Sequence, residues 1–258
     1  MALLLVDAGN TRVKWALAED KEDAVPGNWT LSGSVGSDAV AGLTHRWRNL
    51  SVSRVLISNV AGQPILDGLS GVWPHAFTSP PAAIKWFASS PQMGGIRNGY
   101  RNPAQLGCDR FASMIGARAL FPGRPLVVVT CGTATTIDVV TADGFFPGGL
   151  ILPGLGLMAG SLAKHTAQLP QIAQHFAIAA LLADNTDDAI SSGCLAAQVG
   201  AIERAVASHA NRQGPVQCLL SGGAAGMIAP HLSISCAKVD NLVLIGLQVV
   251  ATQLKKTC

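Results

Sequence analysis

LLLVDAGNTRVKWAL, residues 3–17, is an apolar run that breaks into Asp7-Ala8-Gly9-Asn10-Thr11 and then resumes. A buried hairpin has little use for a carboxylate near its tip, whereas a phosphate or metal site does. The stretch has an echo. With Gly9 placed on Gly132, an offset of 123 residues (132 minus 9), it lies on LVVVTCGTATTIDVV, residues 126–140. Each is an apolar strand, a small-residue turn containing glycine, and a second apolar strand. An offset near half of the 258-residue chain predicts two related domains, each opening on a β-hairpin. The Pro/Gly-rich link Phe121-Pro122-Gly123-Arg124-Pro125 sets the boundary, giving domains 1–121 and 122–258.

Other short apolar runs bounded by Gly, Asn and Pro read as buried strands: Val55–Ser58, Leu150–Leu152 and Gln217–Leu220. Helical spacing is clearest in DRFASMIGARAL, where Phe111, Met114, Ile115 and Ala119 share a face, and along 185–206, where Ile190, Leu195, Val199, Ile202 and Val206 do. Asn185 is a good N-cap for the second, with Asp187 and Asp188 in its first turn. A last helix is expected over about Leu242–Leu254. Strands alternating with helices predict an α/β protein.

Composition narrows the function. The chain is 49% hydrophobic and 13% charged, a globular rather than a disordered profile. A net charge of +3, with Lys255-Lys256 the longest basic run, predicts no nucleic-acid partner. The six cysteines form no CxxC and none lies three or four residues from a histidine, which argues against zinc. Several sit in apolar stretches, as reduced thiols in a cytoplasmic protein do. There is no signal-peptide pattern and no 18-residue uncharged apolar span, so no membrane association is expected.

The turns carry the chemistry. Two glycine hairpins facing each other across a cleft suit a polyphosphate, because small residues let backbone N–H groups approach phosphate oxygens. Asp7 then positions Mg²⁺ or its waters, and Lys14, seven residues on, supplies a point charge. The plain alternative is a type I′ turn in which Gly-Asn serves geometry alone. LLSGGAAG, residues 219–226, permits close approach of a flat ligand such as adenosine, or is a simple strand-to-helix turn. In NPAQLGCDRFASMIGA, residues 102–117, Asp109 is either a helix cap or a proton acceptor for a substrate hydroxyl, and Arg110 suits an anionic substrate group. Tyr100, the one tyrosine, is a surface residue or a substrate lid. There is no Walker loop and no GxSxG. GLGLMA, residues 154–159, matches GxGxxG/A, yet it comes late, follows Pro153, and the stretch 172–183 holds no acid, which disfavours a dinucleotide fold.

DAGNTRVK, GCDR, GTATTID, GGLILPG and NTDDAISSG come in the order found in type III pantothenate kinases, a family also labelled Bvg accessory factor, which this chain resembles. The resemblance runs from Leu3 to about Gly246. It implies two duplicated actin-like, ribonuclease H-like α/β domains flanking a nucleotide cleft, as in the acetate and sugar kinase/Hsc70/actin superfamily. It implies ATP-dependent phosphorylation of pantothenate, the first step of coenzyme A synthesis. By the same resemblance, Asp7, Ala8, Gly9, Asn10, Thr11, Arg12, Val13 and Lys14 form the first phosphate loop and Thr133 belongs to the second. Asp109 is the general base, and Tyr100, Gly107, Cys108, Asp109 and Arg110 line the pantothenate pocket. Thr186 reaches pantothenate from a partner subunit, so a homodimer is implied. Family members hold an activating monovalent cation, K⁺ or NH₄⁺, with an aspartate two residues before the second glycine. Here that position is Thr130, which predicts weakened or absent cation dependence. Two other readings stand beside this one: another kinase or phosphatase of the same fold, and a non-catalytic regulatory factor.

Overall fold

The fold is taken from a computed structural model that describes residues 2–78, 81–165 and 181–256. The part of 172–183 up to residue 180 therefore lies outside the described residues. Two compact units emerge: Met1–Pro122 together with Asn241–Cys258, and Gly123–Asp240.

The first unit is built on a sheet of five strands. β1 (Ala2–Ala8), β2 (Arg12–Glu19) and β3 (Trp29–Gly36) form an antiparallel meander, and β4 (Arg54–Asn59) and β5 (Ala83–Trp86) add in parallel beyond β1. β1 is central, so its LLLV run is buried on both faces. Leu4, Val6 and Ala8 face a core covered by α1 (Leu43–Trp47) and α2 (Gln63–Ala76). There Trp47 stacks on Trp73 at 5.4 Å and meets Trp15 edge-on at 5.9 Å. Behind the sheet lies α3 (Cys108–Leu120), which follows a small hairpin of β6 (Gln92–Met93) and β7 (Ile96–Asn98).

In the second unit, β8 (Leu126–Cys131), β9 (Ala134–Val140) and β11 (Gly148–Pro153) form the meander, with the two-residue strand β10 (Phe145–Phe146) between the last two in sequence. β12 (Gln217–Ser221) and β13 (Cys236–Lys238) extend it in parallel beyond β8. α4 (Leu155–His165), α5 (Thr186–Gln213) and α6 (Ala225–Ile228) cover one face. Asn185 caps α5 as expected, its side chain accepting from the Asp188 N–H at 3.0 Å.

In order along each sheet the strands run third, second, first, fourth, fifth in both units. The 123-residue echo is thus repeated by topology. Its second strand, however, is offset by one residue less. Gly9 N donates to Arg12 O at 3.1 Å across a three-residue turn, whereas Gly132 N donates to Ala134 O at 3.0 Å across a two-residue turn. The cross-strand partner of Asp7 is Lys14, and that of Thr130 is Thr136. Lys14 therefore corresponds to Thr136, not to Ile137 as the fixed offset would have it.

The last helix, α7 (Leu242–Lys256), lies in the first unit, although a single cut at 121/122 assigns it to the second. α7 crosses α3 at close range. A Cβ on Gly246 would sit 1.9 Å from Ala112 O, and one on Gly116 would sit 2.6 Å from Leu242 O. Gln248, 1% exposed on α7, accepts from Gly27 N at 2.8 Å and Trp29 Nε1 at 3.1 Å and donates to Val25 O at 3.1 Å. Buried polar groups seek such full pairing, which fixes the helix to β3 and its preceding loop.

Candidate functional site

The end of β1 carries Asp7, half-buried, with Lys14 beside it on β2 and Ser58 beside it on β4. Ala8 and Val13 turn their side chains into the core, so only their backbone can meet a ligand. Asn10 and Thr11 are exposed at the tip. Arg12 is directed away from it, donating to Ser34 Oγ on β3 at 2.8 Å. Neither Gly9, Asn10 nor Gly132 has a positive φ. A type I′ turn needs it at both central residues, so turn geometry of that kind is not what the glycines serve. What their lack of a side chain does leave is an uncovered backbone at the tip.

α3 begins at the GCDR motif. Its capping position is Gly107, which has no side chain to satisfy the first-turn N–H groups. Asp109 takes that part: its Oδ1 accepts from Arg110 N at 2.8 Å. A Cβ on residue 107 would lie 2.7 Å from that same oxygen, so glycine is what leaves the carboxylate its place. Burial raises the Asp109 pKa, with the Arg110 N–H and guanidinium opposing. Burial likewise lifts Asp7 to about 7, helped by the Asp109 charge and opposed by Lys14. Asp7, at the end of the central strand β1, thus feels the charge of Asp109 on the first turn of α3. Like charges held together in a partly desolvated place are a common mark of a site that expects a cation or a proton.

Arg110 is only 6% exposed. Its Nη1 donates to the Tyr100 hydroxyl at 3.0 Å, and its guanidinium lies 5.8 Å from the Tyr100 ring centre. The Tyr100 loop is itself held in place: Asn98 Oδ1 accepts from Tyr100 N at 3.1 Å, and Asn98 Nδ2 donates to Ser90 O at 3.3 Å and Pro103 O at 3.1 Å. Cys108 points inward, its Sγ 3.2 Å from Ser58 Oγ and 3.5 Å from Asn59 O. Burial pushes its thiol pKa up.

The first unit accordingly gathers Asp7, Lys14, Tyr100, Gly107, Cys108, Asp109 and Arg110. Thr130, Thr133 and Thr186 belong to the second. There, exposed Thr133 is in the turn of the second hairpin, and its carbonyl accepts from Gly154 N at 2.9 Å. A Cβ on Gly154 would meet Gly132 O at 2.2 Å, so the first glycine of GLGLMA braces this turn rather than a dinucleotide. Thr186, the first residue of α5, borders a groove of about 590 Å³ with Pro153, Met158, Leu162 and Ile190. Two residues escaped the sequence reading. Ser58, fully buried at the end of β4, has no local signal, and Asp138, 1% exposed on β9, is hidden inside the GTATTID motif.

Two units that repeat one strand order, each opening on a glycine hairpin with an exposed tip, define the actin-like ATPase and sugar kinase fold. The fold is shared with a conserved Baf family protein of Campylobacter jejuni (TM-score 0.64, 18% identity, covering 98% of this chain and 99% of that one). It is shared as well with a Sinorhizobium meliloti protein described as a 2-dehydro-3-deoxygalactonokinase (TM-score 0.58, 15% identity, 98% and 99%). A sequence profile for type III pantothenate kinase matches residues 3–208. Proteins named type III pantothenate kinase from Janthinobacterium sp. (strain Marseille) and Herminiimonas arsenicoxydans are 57% and 58% identical, with 99% of this chain and 100% of theirs covered. The chain belongs to the type III pantothenate kinase family.

Proposed function

We propose that the chain transfers the γ-phosphoryl group of ATP to the 4′-hydroxyl of pantothenate, the first step towards coenzyme A, in the cytoplasm. The observation that carries this reading is Asp109, placed by Gly107 at the start of α3, with Asp7 near enough for its own pKa to be raised by the Asp109 charge. Phosphoryl transfer asks mainly for alignment and charge neutralisation. Backbone N–H groups of Asn10 and Thr11 and the Lys14 ammonium receive phosphate oxygens, and Thr133 is the residue of the second phosphate loop that the family pattern implies. Asp109 orients the hydroxyl and accepts its proton late in the transfer. Its raised pKa brings it closer to the working pH, where a general base is most effective. Arg110, held by Tyr100, faces the anionic end of pantothenate.

Mg²⁺ fits Asp7: an oxygen donor, partly desolvated, beside a second carboxylate, is short of positive charge. When bound there with ATP, the ion offsets charge on the transferring phosphate. The monovalent cation of the family fits poorly, because Thr130 and its cross-strand neighbour Thr136 are both neutral hydroxyls. Among the described residues no cluster of three or more acidic, His or Cys side chains is arranged to hold a metal. A homodimer is supported by apolar side chains exposed on the second unit, Leu150 (48%), Ile151 (64%) and Leu157 (51%), and it is through this pairing that Thr186 of the second copy would reach pantothenate. No helix of the described residues is long and apolar enough to cross a membrane.

A coupled assay of ADP release tests the reading. Consumption of ATP must depend on added pantothenate; equal rates with and without it would overturn the assignment. Repeated with Na⁺, K⁺ or NH₄⁺ as the sole monovalent ion, the same assay is expected to give rates within about twofold of one another, and strong activation by K⁺ would show that Thr130 does not weaken the site.

A further inference from the structure

We infer that Ser58 and Cys108 are positioning residues for the reacting carboxylates, a role that rests on the pantothenate kinase reading above. Ser58 is fully buried at the end of β4, where, among the described residues, its hydroxyl meets the Cys108 thiol at 3.2 Å. Its backbone is the register partner of Asp7. Cys108 is the first residue of α3 and immediately precedes Asp109. The same sulfur lies 3.5 Å from the carbonyl of Asn59, the next residue along β4. One strand end therefore does two jobs: its backbone sets Asp7 in the sheet, and its hydroxyl and carbonyl set the first turn of the helix that carries Asp109.

The need for such a tie follows from the surroundings. The contacts of the Cys108 thiol with Ser58 and Asn59 tie the first turn of α3 to β4. Two like-charged carboxylates in a partly desolvated place repel, and only a stiff frame keeps both where a hydroxyl and a phosphate must meet. A displacement of about 1 Å at a reacting group can cost about 10²-fold in rate. A weak contact between a hydroxyl and a thiol suffices when its purpose is to fix position, because both partners are already buried and have few other orientations. The thiol is not a nucleophile here: its pKa is raised by burial and its direction is inward.

The test is a double-mutant cycle on the full chain with ATP and pantothenate. Ser58→Ala and Cys108→Ala are each expected to lower kcat about tenfold or more, with KM for both substrates moved less than about twofold. The double variant is expected to lose no more than the worse single one, because the two side chains act as one tie. Cys108→Ser, which keeps a hydrogen-bonding group, is expected to recover most of the kcat. Active-site titration against bound nucleotide corrects each rate for misfolded protein. Single variants with wild-type kcat, additive losses, or a Cys108→Ser variant as slow as Cys108→Ala would each overturn the inference. If the wild-type chain shows no pantothenate-dependent turnover, it is the kinase reading that falls, and the cycle is then scored on nucleotide affinity, where no effect of either residue is expected.

Discussion

Asp109→Asn is expected to lower turnover by about 10²–10⁴-fold while pantothenate still binds, because with Asp109 as the proposed base the amide keeps the size of the carboxylate but cannot accept the proton of the attacking hydroxyl. In barrier terms the loss is about 3–5 kcal/mol. The substitution is a clean one for a structural reason. Asp109 Oδ1 accepts the Arg110 N–H, and an asparagine carbonyl oxygen does the same, so the first turn of α3 stays capped. Burial of the site also ceases to oppose a charge there, since the asparagine has none. The result expected is a variant that folds, binds pantothenate in calorimetry with near-normal affinity, and does not turn over. A variant that binds and turns over like the wild type would remove Asp109 from the role of base.

Asp7→Asn has the opposite sign in stability. The folded chain holds Asp7 at a pKa of about 7, above the 3.8 of an unhindered aspartate. Between those two pH values the folded state keeps a proton that the unfolded state has released. Stability from this group is therefore full below about pH 4 and falls as pH rises towards 7. Above pH 7 the penalty levels off at about 4 kcal/mol as an upper limit, from roughly three pH units at about 1.36 kcal/mol each. An asparagine carries no such penalty. In the absence of ATP and Mg²⁺ its melting temperature at pH 8 is expected to exceed that of the wild type, the gap closing as pH falls towards 4. Activity is expected to fall at the same time, since the carboxylate proposed to receive Mg²⁺ is gone. A wild-type chain more stable than the variant at pH 8 would show that the burial of Asp7 is not unfavourable. The exchange of stability for a charged site is a common cost of function.

Much of this arrangement is legible in the residues alone. Buried central strands write themselves as uninterrupted apolar runs, so β1, β4, β8 and β12 stand out in the amino-acid order itself. α3 and α5 show their apolar stripes, and Asn185 announces the start of the second. Asp109 is marked by its motif, since a glycine two residues earlier has a steric reason to be there. What stays hidden depends on contacts far apart in sequence. Pinning Gly9 on Gly132 aligns only the first strand of each hairpin, and the extra residue in the first turn is invisible to a fixed offset. The allegiance of α7 rests on Gly116 against Gly246 and on Gln248 against Gly27, pairs separated by 130 or more residues, which no local pattern records. Ser58 reads as one more small residue at a strand end until the thiol of Cys108 is placed against it.

The return of α7 to the first unit also sets an order of events during synthesis. Gly123–Asp240 is contiguous, so the whole of it leaves the ribosome before the residues from Asn241 onward that complete the other unit. The half of the chain made first is therefore the half finished last. Until Gly246 arrives against Ala112, the face of α3 that it covers is without its lid, and Asp109 stands on a helix whose back is not yet packed. The first turn of α3, and Asp109 with it, therefore gains its packed backing only after α7 has been made, well after the rest of its own unit.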